Sequence, residues 1–269
     1  ASATQGYKTN MVGVTATDAE GYKTTQNSDV VVITSGIPRK PGMTPEELIG
    51  INAKIVKGVV ENALRWSPKA MFVIISNPMD TMTYLTLKAT GLKKNRVIGM
   101  GGALDSSRFR CYLSKASGAG IQDIDGMVIG GHGDTTMIPL VSKASIKGVP
   151  VTKLLSKKKL EQVAADTMVG GATLTGLLGT SAWYAPGAAG ASVVDAIIND
   201  TKAIVPCSVL LEGEYGQEDI CLGVPVVLGK KGIEKIVKIE LTKEEQAKFV
   251  ASADAVRKVN GALYEIGAL

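Results

Sequence analysis

A run of β-branched residues is the feature that most limits how this chain can fold. Asp29 is followed by Val30-Val31-Val32-Ile33-Thr34-Ser35 and then by Gly36. A continuous β-branched run that ends at a glycine is typical of a parallel strand buried on both faces. Two later segments also predict strands, Met71-Phe72-Val73-Ile74-Ile75-Ser76-Asn77-Pro78 and Arg96-Val97-Ile98-Gly99-Met100.

Helical patterns separate these strands. Thr44-Pro45-Glu46-Glu47 is a capping box with proline at the first helical position, and it predicts a helix towards Ser67-Pro68. Its apolar face is predicted to carry Leu48, Ile51, Ile55 and Val59. A short helix is expected over residues 82–89. Strands that alternate with helices indicate a parallel, right-handed α/β sheet, whose ligands bind at the carboxyl ends of the strands.

The pattern changes after Gly101-Gly102. Helices are predicted near residues 104–117, 160–178 and 188–199, and strands at 126–129, 205–211 and 222–228. A terminal amphipathic helix is predicted from Thr242, with Glu245 completing a capping box, to about Gly267. We therefore expect two domains, residues 1–102 and residues 103–269.

Composition excludes several classes of protein. The chain has 269 residues, 45% of them hydrophobic, which is enough for a substantial core. Its net charge of +5 is spread without the clustered basic face that nucleic-acid binding requires. Three cysteines at long spacings and a single histidine predict neither a disulfide framework nor a zinc site. Without an apolar stretch of about 18 residues or a signal peptide, a cytoplasmic protein with no membrane partner is expected.

The one histidine, His132, lies among glycines in Gly130-Gly131-His132-Gly133-Asp134. Imidazole suits acid/base chemistry near neutral pH, although a lone histidine is more often structural. The flanking glycines favour catalysis because they let backbone and ligand approach closely. Asp105 and Arg108 are three residues apart and would share a helix face, either as a surface ion pair or as part of a site.

Five segments taken together carry a family pattern. They are Val31-Val32-Ile33-Thr34-Ser35-Gly36 with Arg39-Lys40-Pro41-Gly42-Met43, Ser76-Asn77-Pro78, Leu104-Asp105-Ser106-Ser107-Arg108, Gly130-Gly131-His132-Gly133-Asp134 and Gly179-Thr180-Ser181-Ala182-Trp183. In order and spacing they resemble the lactate/malate dehydrogenase family, most closely its bacterial, lactate-dehydrogenase-like malate enzymes. The resemblance covers essentially the whole chain. It implies a Rossmann-type parallel sheet, followed by an α/β substrate-binding domain, and NAD as the cofactor.

The resemblance also implies catalytic and substrate-binding roles. His132 would accept the proton of the malate hydroxyl, and Asp105 would orient its ring and stabilise the imidazolium. Arg108 would hold the substrate carboxylate as a two-pronged fork. Arg39 would bind a second carboxylate, because the equivalent loop position resembles arginine in malate enzymes and glutamine in lactate enzymes.

A further set of residues is implied to face the cofactor. Asn77 would bind substrate and help to place the nicotinamide, and the other members of the set are Asn52, Ile75 and Ser76. Judged alone, Asn77-Pro78 is also compatible with a plain turn and Asn52 with an ordinary exposed helix residue.

Two departures from the family stand out. No G-x-G-x-x-G turn is present and the chain begins at Ala1 without methionine, so we expect a first βαβ unit of roughly 30 or more residues to be missing. Six residues after Arg39, where the family usually carries an arginine that polarises the reacting carbonyl, this chain has Pro45. Either Lys40 or another cation substitutes, or the enzyme is slow, or the position is misassigned.

Three functional readings follow. The first is reversible, NAD-dependent oxidation of (S)-malate to oxaloacetate, a dicarboxylic 2-hydroxy/2-keto acid pair. The second is a dehydrogenase for lactate or another 2-hydroxy acid, which Arg39 disfavours. The third is a catalytically impaired fragment that cannot bind NAD. The family also implies a homo-oligomer, a dimer or a tetramer.

Overall fold

The computed structural model describes residues 20–38 and 44–269. Within these residues the strands are β1 (Val30–Ile33), β2 (Met71–Ile74), β3 (Val97–Gly99), β4 (Ile124–Asp125), β5 (Val128–Gly130), β6 (Met137–Pro139), β7 (Ser145–Ile146), β8 (Val149–Pro150), β9 (Ala203–Glu212), β10 (Glu218–Gly229) and β11 (Gly232–Ile236). The α-helices are α1 (Pro45–Trp66), α2 (Met79–Thr90), α3 (Gly101–Ser117), α4 (Val151–Leu154), α5 (Lys157–Leu178), α6 (Tyr184–Ile198) and α7 (Lys243–Glu265).

One mixed sheet organises most of the molecule. Its strand order is β1-β2-β3-β9-β10-β5-β6, with β11 paired to β10. The pairs β1·β2 and β2·β3 are parallel, whereas β9 pairs antiparallel with β3 and the remaining neighbours are antiparallel. The predicted α/β class is confirmed. The parallel part consists of the three strands that the sequence predicts between residues 29 and 100.

Strand β1 is less buried than its sequence indicates. Only Ile33 is buried, and Val32 is 40% exposed. The physical reason is position, because β1 is the edge strand of the described sheet and pairs with β2 alone. The expectation of burial on both faces is therefore wrong for β1. In the neighbouring strand β2, which lies inside the sheet, Phe72, Val73 and Ile74 have no exposed surface.

Helix α1 begins after Thr44, whose hydroxyl accepts a hydrogen bond from the Glu47 N–H, and the predicted capping box is complete. The predicted apolar face is largely wrong, because Val59 alone of its four residues packs against the buried cluster of this helix, and it is only partly buried. The buried residues are Ile49, Asn52, Ala53, Val56, Val60 and Ala63, whereas Ile51 is 38% exposed. Apolar residues occupy two adjacent stripes of this helix, and the stripe that begins at Ile49 is the one that packs against β1 and β2.

Gly101 and Gly102 open helix α3, so the helix starts three residues earlier than predicted. The sheet also crosses this point, because Gly99 in β3 pairs with Ser208 in β9. The division into domains at residue 102 stays a prediction.

Helix α7 begins at the predicted cap, where Thr242 and Glu245 form a second capping box. Phe249, Ala253 and Val256 lie in the same buried cluster as Ile129 of β5. The helix therefore supports the strand that leads to His132. Across the described residues, no helix combines the length and the apolar character needed to cross a membrane.

Candidate active site

His132 lies in the turn that follows β5. Gly130 has a φ of +85°, and a Cβ there would lie 2.6 Å from the carbonyl oxygen of Thr136, so only glycine fits this close return of the chain. The Gly131 N–H donates to the Ser252 hydroxyl of α7 at 2.9 Å. The turn is thus fixed to α7 immediately before the histidine.

Asp105 of α3 contacts the histidine ring directly. Its Oδ2 lies 2.6 Å from His132 Nδ1, and the two side chains are only 2% and 12% exposed. Because a carboxylate can only accept hydrogen bonds, Nδ1 carries the ring proton. The other ring nitrogen, Nε2, is then the one that can take up a proton from a ligand.

Burial and charge oppose each other at His132. Burial lowers the pKa of the imidazole, but the charge and the hydrogen bond of Asp105, aided by the charge of Asp80, outweigh it, so the pKa is raised above its ordinary value. The positive charge of the Arg108 guanidinium lowers the pKa of the ring. The ring is therefore a stronger base than a free histidine.

Arg108 completes the cluster from the same helix. Its Nη1 donates to Asp105 Oδ1 at 3.2 Å, and its side chain is only 17% exposed. The expected i,i+3 pair exists, but it is partly buried rather than a surface ion pair. Among the described residues, this is the one hydrogen bond that the guanidinium makes, and several of its five N–H groups remain for a ligand.

Glycines allow the helices to approach these side chains. A Cβ at Gly101 would lie 2.7 Å from His132 Cγ and 2.8 Å from Nδ1, inside the imidazole ring's own space. A Cβ at Gly171 of α5 would lie 3.3 Å from Arg108 Nη1. The close packing of α3 against the ring therefore requires glycine at its first position.

The predicted cofactor-side residues meet at the carboxyl ends of β1 and β2. Asn52 is 1% exposed, which excludes the reading as an exposed helix residue. Its amide accepts from Ile37 N at 2.8 Å, and it donates to the carbonyls of Ile37 at 3.2 Å and Asn77 at 2.8 Å. Asn52 therefore joins the loops that follow the two strands.

Ser76 reinforces the same edge, because its hydroxyl donates to the Ser35 carbonyl at 2.5 Å. Ile75 is half-buried, and its N–H donates to the Ile33 carbonyl at 2.8 Å. Asn77 is exposed beyond them with its backbone held by Asn52. Ser35 Oγ is buried at the same edge and has no hydrogen-bond partner among the described residues.

Arg39 and Lys40 lie outside the described residues, so their predicted roles stay predictions. Pro45 is the first residue of α1, as its position in the capping box indicates.

Two residues at the site were not found from the sequence. Asp80 of α2 accepts a hydrogen bond from the His132 backbone N–H at 2.7 Å, and Ser208 of β9 donates to the other carboxylate oxygen at 2.6 Å. Asp80 follows Asn77-Pro78 by two residues, which was the one available signal. Ser208 has no local signal, because its place depends on the pairing of β3 with β9.

Comparison with known proteins gives matches along nearly the whole chain. Residues 3–99 match the NAD binding domain of lactate/malate dehydrogenase, and residues 102–262 match the alpha/beta C-terminal domain of lactate/malate dehydrogenase. The malate dehydrogenase of Bacteroides fragilis is 68% identical over 264 residues, which cover 98% of this chain and 83% of that protein.

Solved structures agree with these matches. The apo malate dehydrogenase of Picrophilus torridus superposes with a TM-score of 0.93 at 35% identity, covering 98% of this chain and 83% of that one. The Cryptosporidium parvum lactate dehydrogenase, solved with lactic acid and β-nicotinamide adenine dinucleotide, gives a TM-score of 0.86 at 36% identity, covering 90% and 78%.

Replacement of Asp105 by asparagine should lower the pKa of His132, because the variant removes the charge that holds the imidazolium. The chain contains one histidine, so an NMR titration of its ring C–H signals reports this group without assignment. Asp254→Asn, which removes an exposed carboxylate paired with Arg257, is the matched control. An unchanged titration in Asp105→Asn would contradict the electrostatic account of the ring.

Proposed function

This chain belongs to the lactate/malate dehydrogenase family, and we propose that it catalyses the reversible oxidation of (S)-malate to oxaloacetate with NAD. The observation that carries the proposal is the buried contact of His132 with Asp105, with Arg108 on the same carboxylate. A base and an anion-binding group thus lie side by side, as a 2-hydroxy acid requires. NAD, when bound, supplies the hydride acceptor.

His132 Nε2 takes the hydroxyl proton of malate as the carbonyl forms. Asp105 stabilises the resulting imidazolium through Nδ1, and the same ring returns the proton in the reduction of oxaloacetate. Oxidation therefore needs the neutral ring and reduction needs the protonated ring. Because the pKa of His132 is raised, the protonated ring that reduction needs persists to higher pH than it would in a free histidine.

Arg108 binds the carboxylate next to the reacting carbon. Its contact with Asp105 aims the guanidinium while leaving donors for a bidentate pair with substrate. Arg39 supplies the second cation, which a dicarboxylic substrate needs and a monocarboxylic one does not. An arginine left unpaired by pyruvate or lactate would disfavour those substrates.

The residues at the ends of β1 and β2 fit the nicotinamide end of NAD. The exposed Asn77 is accessible to polar groups of a ligand, and Asn52 and Ser76 hold the two loops at this edge. Ile75 offers an apolar contact beside them. We assign Asn77 to both substrate and cofactor. We also place the enzyme in the cytoplasm and expect a homodimer or homotetramer.

Binding of NADH separates an active enzyme from an inert fragment. We expect isothermal titration to detect NADH binding by the 269-residue chain, and malate to support NADH formation followed by its absorbance. Lactate in place of malate is the matched substrate control. Absence of heat with NADH would instead support a core that cannot hold the dinucleotide.

Arg39→Gln should shift the preference from oxaloacetate towards pyruvate, because the second carboxylate loses its partner. The ratio of kcat/KM for the two substrates should change on the order of a hundredfold. Lys153→Gln removes an exposed cation of α4 and serves as the charge-matched control. Equal use of both substrates before and after the change would show that Arg39 is not the selector.

Pro45→Arg should raise turnover, because it supplies the cation that the family usually places there. The gain should be on the order of a hundredfold, by analogy with restoring one donor to an oxyanion. Pro45→Ala separates this effect from simple loss of the proline. If Pro45→Arg turns over at the original rate, another cation already serves the reacting carbonyl.

A further inference from the structure

The buried carboxylate of Asp80 faces the active site but takes no part in the proton transfer described above. It is 6% exposed and lies in the first turn of α2. One of its oxygens accepts the His132 backbone N–H at 2.7 Å, and the other accepts the Ser208 hydroxyl at 2.6 Å. A buried carboxylate is costly unless its oxygens are paired, so this arrangement is specific.

The contacts of Asp80 join three separate parts of the sheet. Asp80 follows β2, Ser208 lies in β9, and His132 follows β5. Ser208 is itself fixed, since it pairs with Gly99 and is only 1% exposed. A Cβ at Gly99 would lie 2.7 Å from Ser208 Cβ, so the close approach of Ser208 to β3 requires glycine at position 99.

We propose that Asp80, oriented by Ser208, is a positioning residue that holds the backbone of His132 so that its ring stays on Asp105. The inference rests on the proposed function for its kinetic consequence. Asp105 holds the ring by Nδ1, and Asp80 holds the same residue by its main chain, so His132 is fixed at two points from two helices.

Electrostatics agrees with this geometry. Burial raises the pKa of Asp80, and the hydrogen bonds from Ser208 and the His132 N–H oppose that effect by favouring the carboxylate. Within residues 20–38 and 44–269, the charged groups that face His132 are Asp105 and Arg108 from α3 and Asp80 from α2. Asp80 raises the pKa of the ring, so its removal lowers that pKa both directly and by loosening the ring from Asp105.

The test uses substitutions that separate the hydrogen bond from the charge. Asp80→Ala removes both, and kcat should fall on the order of a hundredfold, the loss that a displacement of about 1 Å produces. KM for malate should change little, because Arg108 is not touched. Asp80→Asn keeps an oxygen for the His132 N–H and should recover most of kcat. Asp254→Asn on the surface of α7 is the matched control.

Two pH-dependent measurements distinguish positioning from a general effect on folding. The single histidine reports its own pKa by NMR, and that pKa should fall in Asp80→Ala more than in Asp80→Asn. Because oxidation needs the neutral ring, the acid limb of kcat/KM for malate should move to lower pH in the same order. A loss confined to KM, or a kcat and a His132 pKa that do not change in Asp80→Ala, would overturn the proposal.

Ser208→Ala keeps the test decisive if Asp80→Ala does not fold. It removes only the orienting hydroxyl, so kcat should fall about tenfold, the value of one hydrogen bond to a charged group. An unchanged kcat and His132 pKa in folded Ser208→Ala would equally overturn the role of Asp80. Absence of malate activity in the parent chain would refute the proposed function. The role of Asp80 could still be tested in that case, because the NMR titration of His132 needs no turnover.

Discussion

The contact between His132 Nδ1 and Asp105 Oδ2 is the interaction on which the site depends. It sets the ring tautomer and offsets the effect of burial, which alone would lower the pKa of the imidazole. It also places the Asp105 carboxylate where Arg108 donates a hydrogen bond to it. Several features of the fold serve this one contact. Gly101 lets α3 reach the ring, Gly130 lets the chain turn back after β5, and α7 holds the turn through Ser252.

The acid/base group of the site is a single imidazole that lies among two carboxylates and a guanidinium. In a buried site these charges interact more strongly than in water, so small changes in position alter the pKa of the ring. That sensitivity explains why His132 is held through both its side chain and its main chain.

Local signals in the sequence predicted the main helices and the strands β1, β2, β3, β5, β9 and β10, but not the short strands β4, β6, β7 and β8 or the hairpin partner β11. Both capping boxes, at Thr44 and Thr242, are present as expected, and the glycine-flanked histidine meets the Asp105 and Arg108 pair. Long-range packing was not predictable in the same way. The buried stripe of α1 is set by β1 and β2, and Ser208 reaches the site because β9 pairs with β3. Which helix face is buried and which strands pair depend on contacts between distant parts of the chain, and a short segment of sequence does not specify those contacts.

The shared sheet has a mechanical consequence. Strands that lead to Asn77 and to His132 belong to one hydrogen-bonded sheet, with β3, β9 and β10 between them. Two halves joined in this way cannot swing apart about a flexible linker without breaking that sheet. Any tightening around a bound molecule must come from the connections beyond the strand ends, while the proton-handling groups keep a constant spacing throughout the reaction cycle.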